Sequence, residues 1–499
     1  MGQGEAKENS DRHSSGGRLE DTVIDGGYCI GCGACTAVQG ASFEMEMDEW
    51  GEYQAASRDG ASDASGAEHV CPFSAEARDE TQIGRALYGD GATFDEHVGF
   101  YRSCYAGYVD EGEFRARGSS GGMAKWILYE LLRRDLADRV IQIVAQAPAS
   151  EDDTIYGYGV FETPGEILEG SKSVYYPVEM SGALEYIREH PGRYAITGIP
   201  CFIKALRLLA RQEAVFEERI EYCVGLVCGH LKSKRYADMI AWQFGVEPGN
   251  LAYIDFRKHL PDTKANEKGV EVEPIEGETE MADPDIVQNL FGTNYNHGFF
   301  QYKACNYCDD VVGETADISV GDAWLDEYLD DGEGTSIIVT RHPTMERLVE
   351  EGMAAGRLQL DSVSADTVAE SQAGGFRQRR EGLAYRLHLA EEADQWHPPK
   401  RVEPSASHIN EERKEVYDLR MQMTNRSHTA FRKAMKEGNF EVFREKMGPL
   451  LEAYSELYRL KGWERIKKGI IRRGRWIGKW VKGKMKTKKL LIKLIKVES

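Results

Sequence analysis

A chain of 499 residues with 41% hydrophobic and 29% charged side chains has room for two or three cored domains, which excludes wholesale disorder, collagen-like structure and a disulfide miniprotein. Its 83 acidic and 62 basic residues give a formal charge of −21, divided unevenly: residues 461–499 hold 15 Lys and Arg beside 2 Glu, leaving 47 basic and 81 acidic residues before them. An acidic body repels nucleic-acid phosphates, no apolar run nears the roughly 18 residues of a membrane span, and the opening MGQGEAKENSDRHSSGG lacks the apolar core of a signal peptide, so a cytoplasmic protein without a nucleic-acid partner is expected.

In chain order, residues 1–20 are polar and rich in Gly and Ser, a disordered lead. Residues 21–95 carry the first cysteines among small and acidic residues, the pattern of a loop-rich segment organised by a metal centre. From about residue 96 short apolar runs alternate with helical stretches, which predicts α/β units as far as residue 375. CYAGYVD reads as a strand, RARGSSGG as a turn, and MAKWILYELLRR as a helix presenting Met123, Trp126, Ile127, Leu131 and Leu132 on one face. RVIQIVAQA is the next strand. RYAITGIPCFIKALRLLAR and IEYCVGLVCGHLKSKRYADMIAWQFG each repeat a strand, a cysteine-bearing turn and a helix. After an irregular gap over about 261–290, ADISVGDAW and TSIIVTRH read as strands, the second leading into the helix PTMERLVEEGM. A mixed or mostly parallel sheet covered by helices is the fold expected, with a helical extension over 376–460 and a basic tail over 461–499. In that tail Trp463, Ile466, Ile470, Ile477 and Trp480 recur at helical spacing among lysines and arginines, which suits peripheral contact with an anionic membrane or docking to a partner.

Ten cysteines in such a chain point to metal binding rather than disulfides. CIGCGAC places Cys29, Cys32 and Cys35 in a C-x2-C-x2-C run, the ferredoxin half-motif. A fourth cysteine three residues later is missing, since position 39 is Gln; the nearby Cys-Pro, Cys71-Pro72, is the candidate fourth ligand of one 4Fe-4S cluster. Zinc sites more often use separated C-x2-C pairs. Cys201 and Cys228 follow successive strands, so in a parallel arrangement both reach the same carboxyl edge, and Cys305-Asn-Tyr-Cys308 adds two thiols at chelating spacing for a second cluster. Cys104 and Cys223, inside apolar strands, read as core residues. The turn GSSGG, residues 118–122, opens a helix whose free N–H groups suit a phosphate or pyrophosphate, and Ser171-Lys172 offers a hydroxyl and a cation.

The stretches RGSSGGMAKWILYELL, EGSKSVYYP, AITGIPCFIKALRLL, GLVCGH and CNYCDDVVGETADISVGDAW, in this order, resemble the coenzyme F420 hydrogenase/dehydrogenase beta subunit family, and are similar to 7-hydroxymethyl chlorophyll a reductase, over roughly residues 25–345. The resemblance implies an FAD domain with two 4Fe-4S clusters. Carried across, it assigns Cys29, Cys32, Cys35 and Cys71 to the amino-terminal cluster and Cys201, Cys228, Cys305 and Cys308 to the cluster of the flavin domain. It assigns Ser119, Ser120, Gly121 and Gly122, with Ser171 and Lys172, to the flavin. Residues 375–499 extend beyond the shared core, and no nickel-binding cysteine set or molybdopterin signature is present.

An iron-sulfur flavoprotein oxidoreductase is therefore expected, passing electrons between clusters, FAD and a two-electron partner such as coenzyme F420 or an organic substrate, with ferredoxin or another redox protein as the one-electron partner. Two other readings are carried: a non-catalytic electron-transfer subunit of a larger complex, and a zinc-stabilised interaction protein. No catalytic acid or base is assigned; His230 and Lys172 are the nearest candidates.

Overall fold

The computed structural model describes residues 19–459 apart from 42, 59–65, 149, 151–152 and 278–284. Most of the expected lead and the whole basic tail lie outside the described residues.

A mixed sheet of eight strands organises the centre. Numbering only its strands, β1 is Ser103–Val109, β2 Arg139–Ala145, β3 Tyr156–Phe161, β4 Tyr194–Gly198, β5 Ile220–Leu226, β6 Ile318–Asp322, β7 Ser336–Thr340 and β8 Leu358–Ser362. Their order is β8-β1-β7-β6-β5-β4-β2-β3. The neighbours β2, β4, β5 and β6 pair in parallel, and both flanks are antiparallel. Apolar strands buried along their whole length, as β4 and β7 are, require cover on both faces.

Consecutive residues of one strand therefore serve different cores. Val140, Ala195, Val224 and Ile338 pack with Trp126, Ile127 and Leu131 of helix Met123–Arg133 and with Met345, Leu348 and Val349 of helix Pro343–Ala354. Ile141, Ile196 and Cys223 face the other way, onto Leu184 of helix Ser181–Glu189 and Phe202, Leu206 and Leu209 of helix Pro200–Gln212. All five apolar residues expected on one face of helix Met123–Arg133 are buried. Cys104 and Cys223 are core residues at 4% and 0% exposure.

The amino-terminal segment contributes the hairpin Phe43–Met47 with Tyr53–Ser57 and helix Glu80–Tyr88. Its Val23, Tyr28, Ile30, Phe43, Val70 and Phe73 join the same core cluster as Leu184 and Phe202. The stretch expected to be irregular over 261–290 differs from that reading: Gly269–Pro274 pairs with Leu251–Lys258 and with Asp285–Ile286. Its charged residues alternate with Val270 and Val272, and these two valines are buried in the same core cluster as Tyr236 and Ile240 of helix Lys234–Trp242 and Phe431 and Phe443 of the carboxy-terminal helices. Those helices are Ala373–Arg379, Glu381–Glu392, Glu411–Glu437 and the helical residues 440–459. None of the described helices is long and apolar enough to cross a membrane.

Candidate redox centre

The first group of thiols is built by a loop without regular structure. Cys29 and Cys32 lie between the short helical turn Glu20–Ile24 and the turn Ala34–Ala37, Cys35 is the second residue of that turn, and Cys71 caps the short helix Ala67–Val70. Gly31, at φ +65°, stands where a Cβ would come within 2.5 Å of the Tyr53 backbone, so the hairpin can press the loop inward only over a glycine. Burial raises all four thiol pKa values, that of Cys71 to about 12, and the thiols also raise one another: Cys35 feels Cys32, Cys29 and Cys71, and Cys71 feels Cys29. Thiols whose charges raise one another favour protonation when nothing neutralises them, and a cationic core can take the place of the protons.

The second group comes from three separate turns. Cys201 is the second residue of helix Pro200–Gln212, directly beyond β4; Cys228 lies two residues beyond β5; Cys305 sits in the turn Lys303–Tyr307 and Cys308 caps it. Parallel pairing of β4 with β5 brings the first two to one sheet edge. Cys201 feels Cys308, Cys228 and Cys305, and in addition Cys32 of the first group, so the two quartets adjoin. The Leu231 N–H donates to Cys305 Sγ at 3.1 Å. Among the described residues no group of three or more His, Cys, Asp and Glu side chains is placed to hold a metal ion; Cys35 interacts with Cys32, Cys29 and Cys71, and Cys201 with Cys308, Cys228 and Cys305.

A residue outside every sequence motif enters here. Arg379, 2% exposed, donates from Nη1 to Cys308 Sγ at 3.2 Å and to the Asp310 carbonyl, and from Nη2 to the Gly229 carbonyl at 2.5 Å; its charge also reaches Cys228 and Cys305. In the sequence it is one of several arginines in GFRQRR, with no spacing that relates it to a cysteine.

Beside the second quartet a cleft of about 1210 Å3, including the solvent at its mouth, opens along the carboxyl ends of β4, β5 and β6. Gly118, Ser119, Ser120 and Gly122 line it, as do Ser171 and Lys172, so two segments some 50 residues apart form one wall. They are tied by the Ser173 N–H donating to Ser119 Oγ at 2.7 Å. Gly121 is not in the lining; a Cβ there would meet the Gly107 carbonyl at 2.6 Å and Ser336 at 2.7 Å, so its requirement is set by β1 and β7. The first turn of helix Met123–Arg133 faces the cleft through Met123, Ala124 and Lys125.

Basic side chains gather at this wall, two of them paired with carboxylates. Lys125, 7% exposed, donates to the carbonyls of Arg117 at 2.9 Å and Leu168 at 3.3 Å; burial, then Lys172 and Arg117, push its pKa down to about 8. Lys172 pairs with Asp255 at 2.8 Å, and Arg257 pairs with Asp322 at 2.8 Å while reaching the Ser119 carbonyl at 3.3 Å. Behind the turn, Lys268 contacts His259 Nδ1 at 3.2 Å, His259 Nε2 meets the Gly118 carbonyl at 2.9 Å, and burial with Arg257 lowers Lys268 to about 8. Basic groups around a helix start are surroundings that favour an anion.

Tyr158 joins cleft and thiols: it lines the cleft, donates to the Thr197 carbonyl at 3.2 Å, and its hydroxyl feels Cys201 and Cys32. Leu231, whose N–H holds Cys305, also lines the cleft. His230 is not in the lining; its ring stacks on Tyr295 at 3.8 Å, and burial with Lys232 holds it neutral.

Two family profiles of coenzyme F420 hydrogenase/dehydrogenase, beta subunit, match the chain, the N-terminal one over residues 104–185 and the C-terminal one over residues 192–366. A solved chain of the F420-reducing NiFe hydrogenase complex from Methanosarcina barkeri is similar at 16% identity and a TM-score of 0.46, over 62% of this chain and 99% of that one. No curated protein matches.

Proposed function

Because the chain belongs to the coenzyme F420 hydrogenase/dehydrogenase beta subunit family, a family of redox enzymes, we propose that it is an iron-sulfur flavoprotein oxidoreductase. It would hold one 4Fe-4S cluster on Cys29, Cys32, Cys35 and Cys71, a second on Cys201, Cys228, Cys305 and Cys308, and FAD in the cleft. The observation that carries this reading is the adjacency of three sites, with Cys32 beside Cys201 and the second quartet against a cleft walled by the Ser119–Gly122 turn and Ser171-Lys172. The two-electron partner is coenzyme F420 or an organic substrate, and ferredoxin or another redox protein is the one-electron partner.

Clusters supply single-electron transfer and the flavin exchanges one electron or a hydride. The protein's own part is electrostatic and positional. Buried thiols release their protons to a cationic core and to nothing weaker. Lys125 and the N–H groups of the helix start receive an anion, while Lys172 and Arg257, paired with Asp255 and Asp322, fix the turn in place. The apolar side chains of Leu128, Ile143, Val174, Val178, Phe202 and Val320 keep the body of the cleft poor in water.

Anaerobic purification with iron, sulfide, zinc and flavin analysis tests the reading. About eight iron atoms, as two four-iron clusters require, and one flavin per chain are expected. A colourless protein containing zinc overturns it in favour of the zinc-stabilised interaction protein. Full cofactor content with no turnover of any small molecule until a second protein is added favours the non-catalytic reading.

A further inference from the structure

A guanidinium without a carboxylate partner in a protein interior is costly, because burying a charge is offset only by a counter-charge or a full set of hydrogen bonds. Arg379 is 2% exposed, and its partners are the sulfurs of Cys308 and Cys228 and the carbonyls of Asp310 and Gly229. The charges it meets most strongly are those of Cys308, Cys228 and Cys305, in that order. Around it, Asp310 accepts from the N–H groups of Gly313 and Glu314, and Lys400 and Arg401 face Asp309, at 4.0 and 3.0 Å. The full positive charge of Arg379 is therefore directed at the second quartet.

The first quartet has different surroundings. The acidic side chains beside Cys29 are Glu52, whose carboxyl burial holds well above the usual range, and Asp48, and the cation near Cys71, Lys204, is already paired with Glu80 at 3.1 Å; Asp309 and Asp310 stand beside Cys308 in the second quartet, so the difference between the groups is the cation on sulfur. No arginine or lysine donates to a sulfur of this group among the described residues; the Cys29 sulfur accepts from the Gly31 N–H at 3.5 Å.

We infer that Arg379, carried by helix Ala373–Arg379 beyond the family-matched residues 104–185 and 192–366, is a positioning residue for the second cluster and holds its reduction potential above that of the first. The inference rests on the proposed two-cluster reading. A four-iron cluster with four thiolates is net negative and gains one further negative charge on reduction, so a fixed cation hydrogen-bonded to a ligand sulfur favours the reduced form. No such cation donates to a sulfur of the first quartet among the described residues.

The test is a redox titration of the anaerobically purified full-length protein, followed by electron paramagnetic resonance, for the wild type, Arg379→Gln and Arg379→Lys. Two midpoints are expected in the wild type. In Arg379→Gln the higher one moves to more negative potential and the lower one stays; in Arg379→Lys the shift is smaller, because the charge remains. Unmoved midpoints, movement of the lower one, or equal shifts in both variants overturn the inference while leaving the two-cluster reading intact. A wild type without iron overturns both. Should Arg379→Gln assemble one cluster only, Arg379→Lys decides: two clusters with midpoints near the wild type support a role for charge, and loss of the same cluster overturns it by making the position a requirement of shape.

Discussion

Lys125 shows how one side chain ties burial to binding. It has carbonyl partners and no carboxylate partner, and its pKa stands at about 8 against about 10.5 in the unfolded chain. Between those values the folded protein without ligand binds fewer protons than the unfolded one, so this group makes its stability rise with pH there. A phosphate beside it restores the proton, so affinity for FAD is expected to fall as pH rises above about 8. Lys125→Met should weaken binding about tenfold at pH 7, the scale of one charge-assisted hydrogen bond, and flatten the alkaline fall; flavin titration of the apoprotein from pH 6.5 to 9.5 measures both. Cys71 carries a separate residue-scale prediction. Cys71→Ala should lose about four iron atoms and keep its flavin, because no residue of the amino-terminal segment that carries Cys71 lines the cleft. Full iron content in that variant would exclude Cys71 as a ligand.

Among the elements, the turn before helix Met123–Arg133 answers to two constraints at once. Gly122 caps the helix at φ +82°, and Gly121 passes against β1 and β7 with no room for a Cβ. The sequence alone suggests that a glycine here makes room for a phosphate, whereas the nearest atoms to a Cβ at Gly121 belong to Gly107 and Ser336. Gly121→Val should therefore lower the thermal midpoint as well as flavin occupancy, because the turn cannot seat against the sheet. A calorimetric midpoint equal to that of the wild type, with flavin binding alone reduced, would return the position to a role in ligand contact.

Across the whole molecule, one buried ionic network fastens the amino-terminal segment, the sheet and the carboxy-terminal extension together. Arg401, from the extension, reaches Glu314 at 2.7 and 2.9 Å, Asp309 at 3.0 Å and Glu80 at 3.5 Å, and Glu80 meets Lys204 of helix Pro200–Gln212 at 3.1 Å. Asp309 follows Cys308 directly, so the network also braces the second quartet. Removing one partner of a buried pair leaves the other charge uncompensated, which costs about 3–5 kcal/mol. Arg401→Gln is expected to destabilise the protein by that order in chemical denaturation and to change little with added salt, since buried pairs are poorly screened. A change below about 1 kcal/mol would mean that water reaches these carboxylates.

Features with a local physical cause were legible in one dimension. Alternation and helical periodicity outline the β-α-β units, since the side-chain repeat of 2.0 or 3.6 is a property of each element alone. The runs CIGCGAC and CNYC declare chelating spacing, and the ordered motifs suffice to identify the family. Whatever depends on contact between distant segments waited for the fold. β3, Gly269–Pro274 and β8 are not legible because none of them is an apolar run: glycines interrupt β3, polar residues stand among the apolar ones of the other two, and only their neighbours select the pairing. The order of β4, β5 and β6 assembled one cleft from Ser119, Lys172 and the strand ends, and set Cys201 beside Cys32. Arg379 was illegible along the chain for the same reason: an arginine in a helical run is solvated on most surfaces, and this one acquires its meaning from three thiols between 71 and 151 residues away, which only folding places around it.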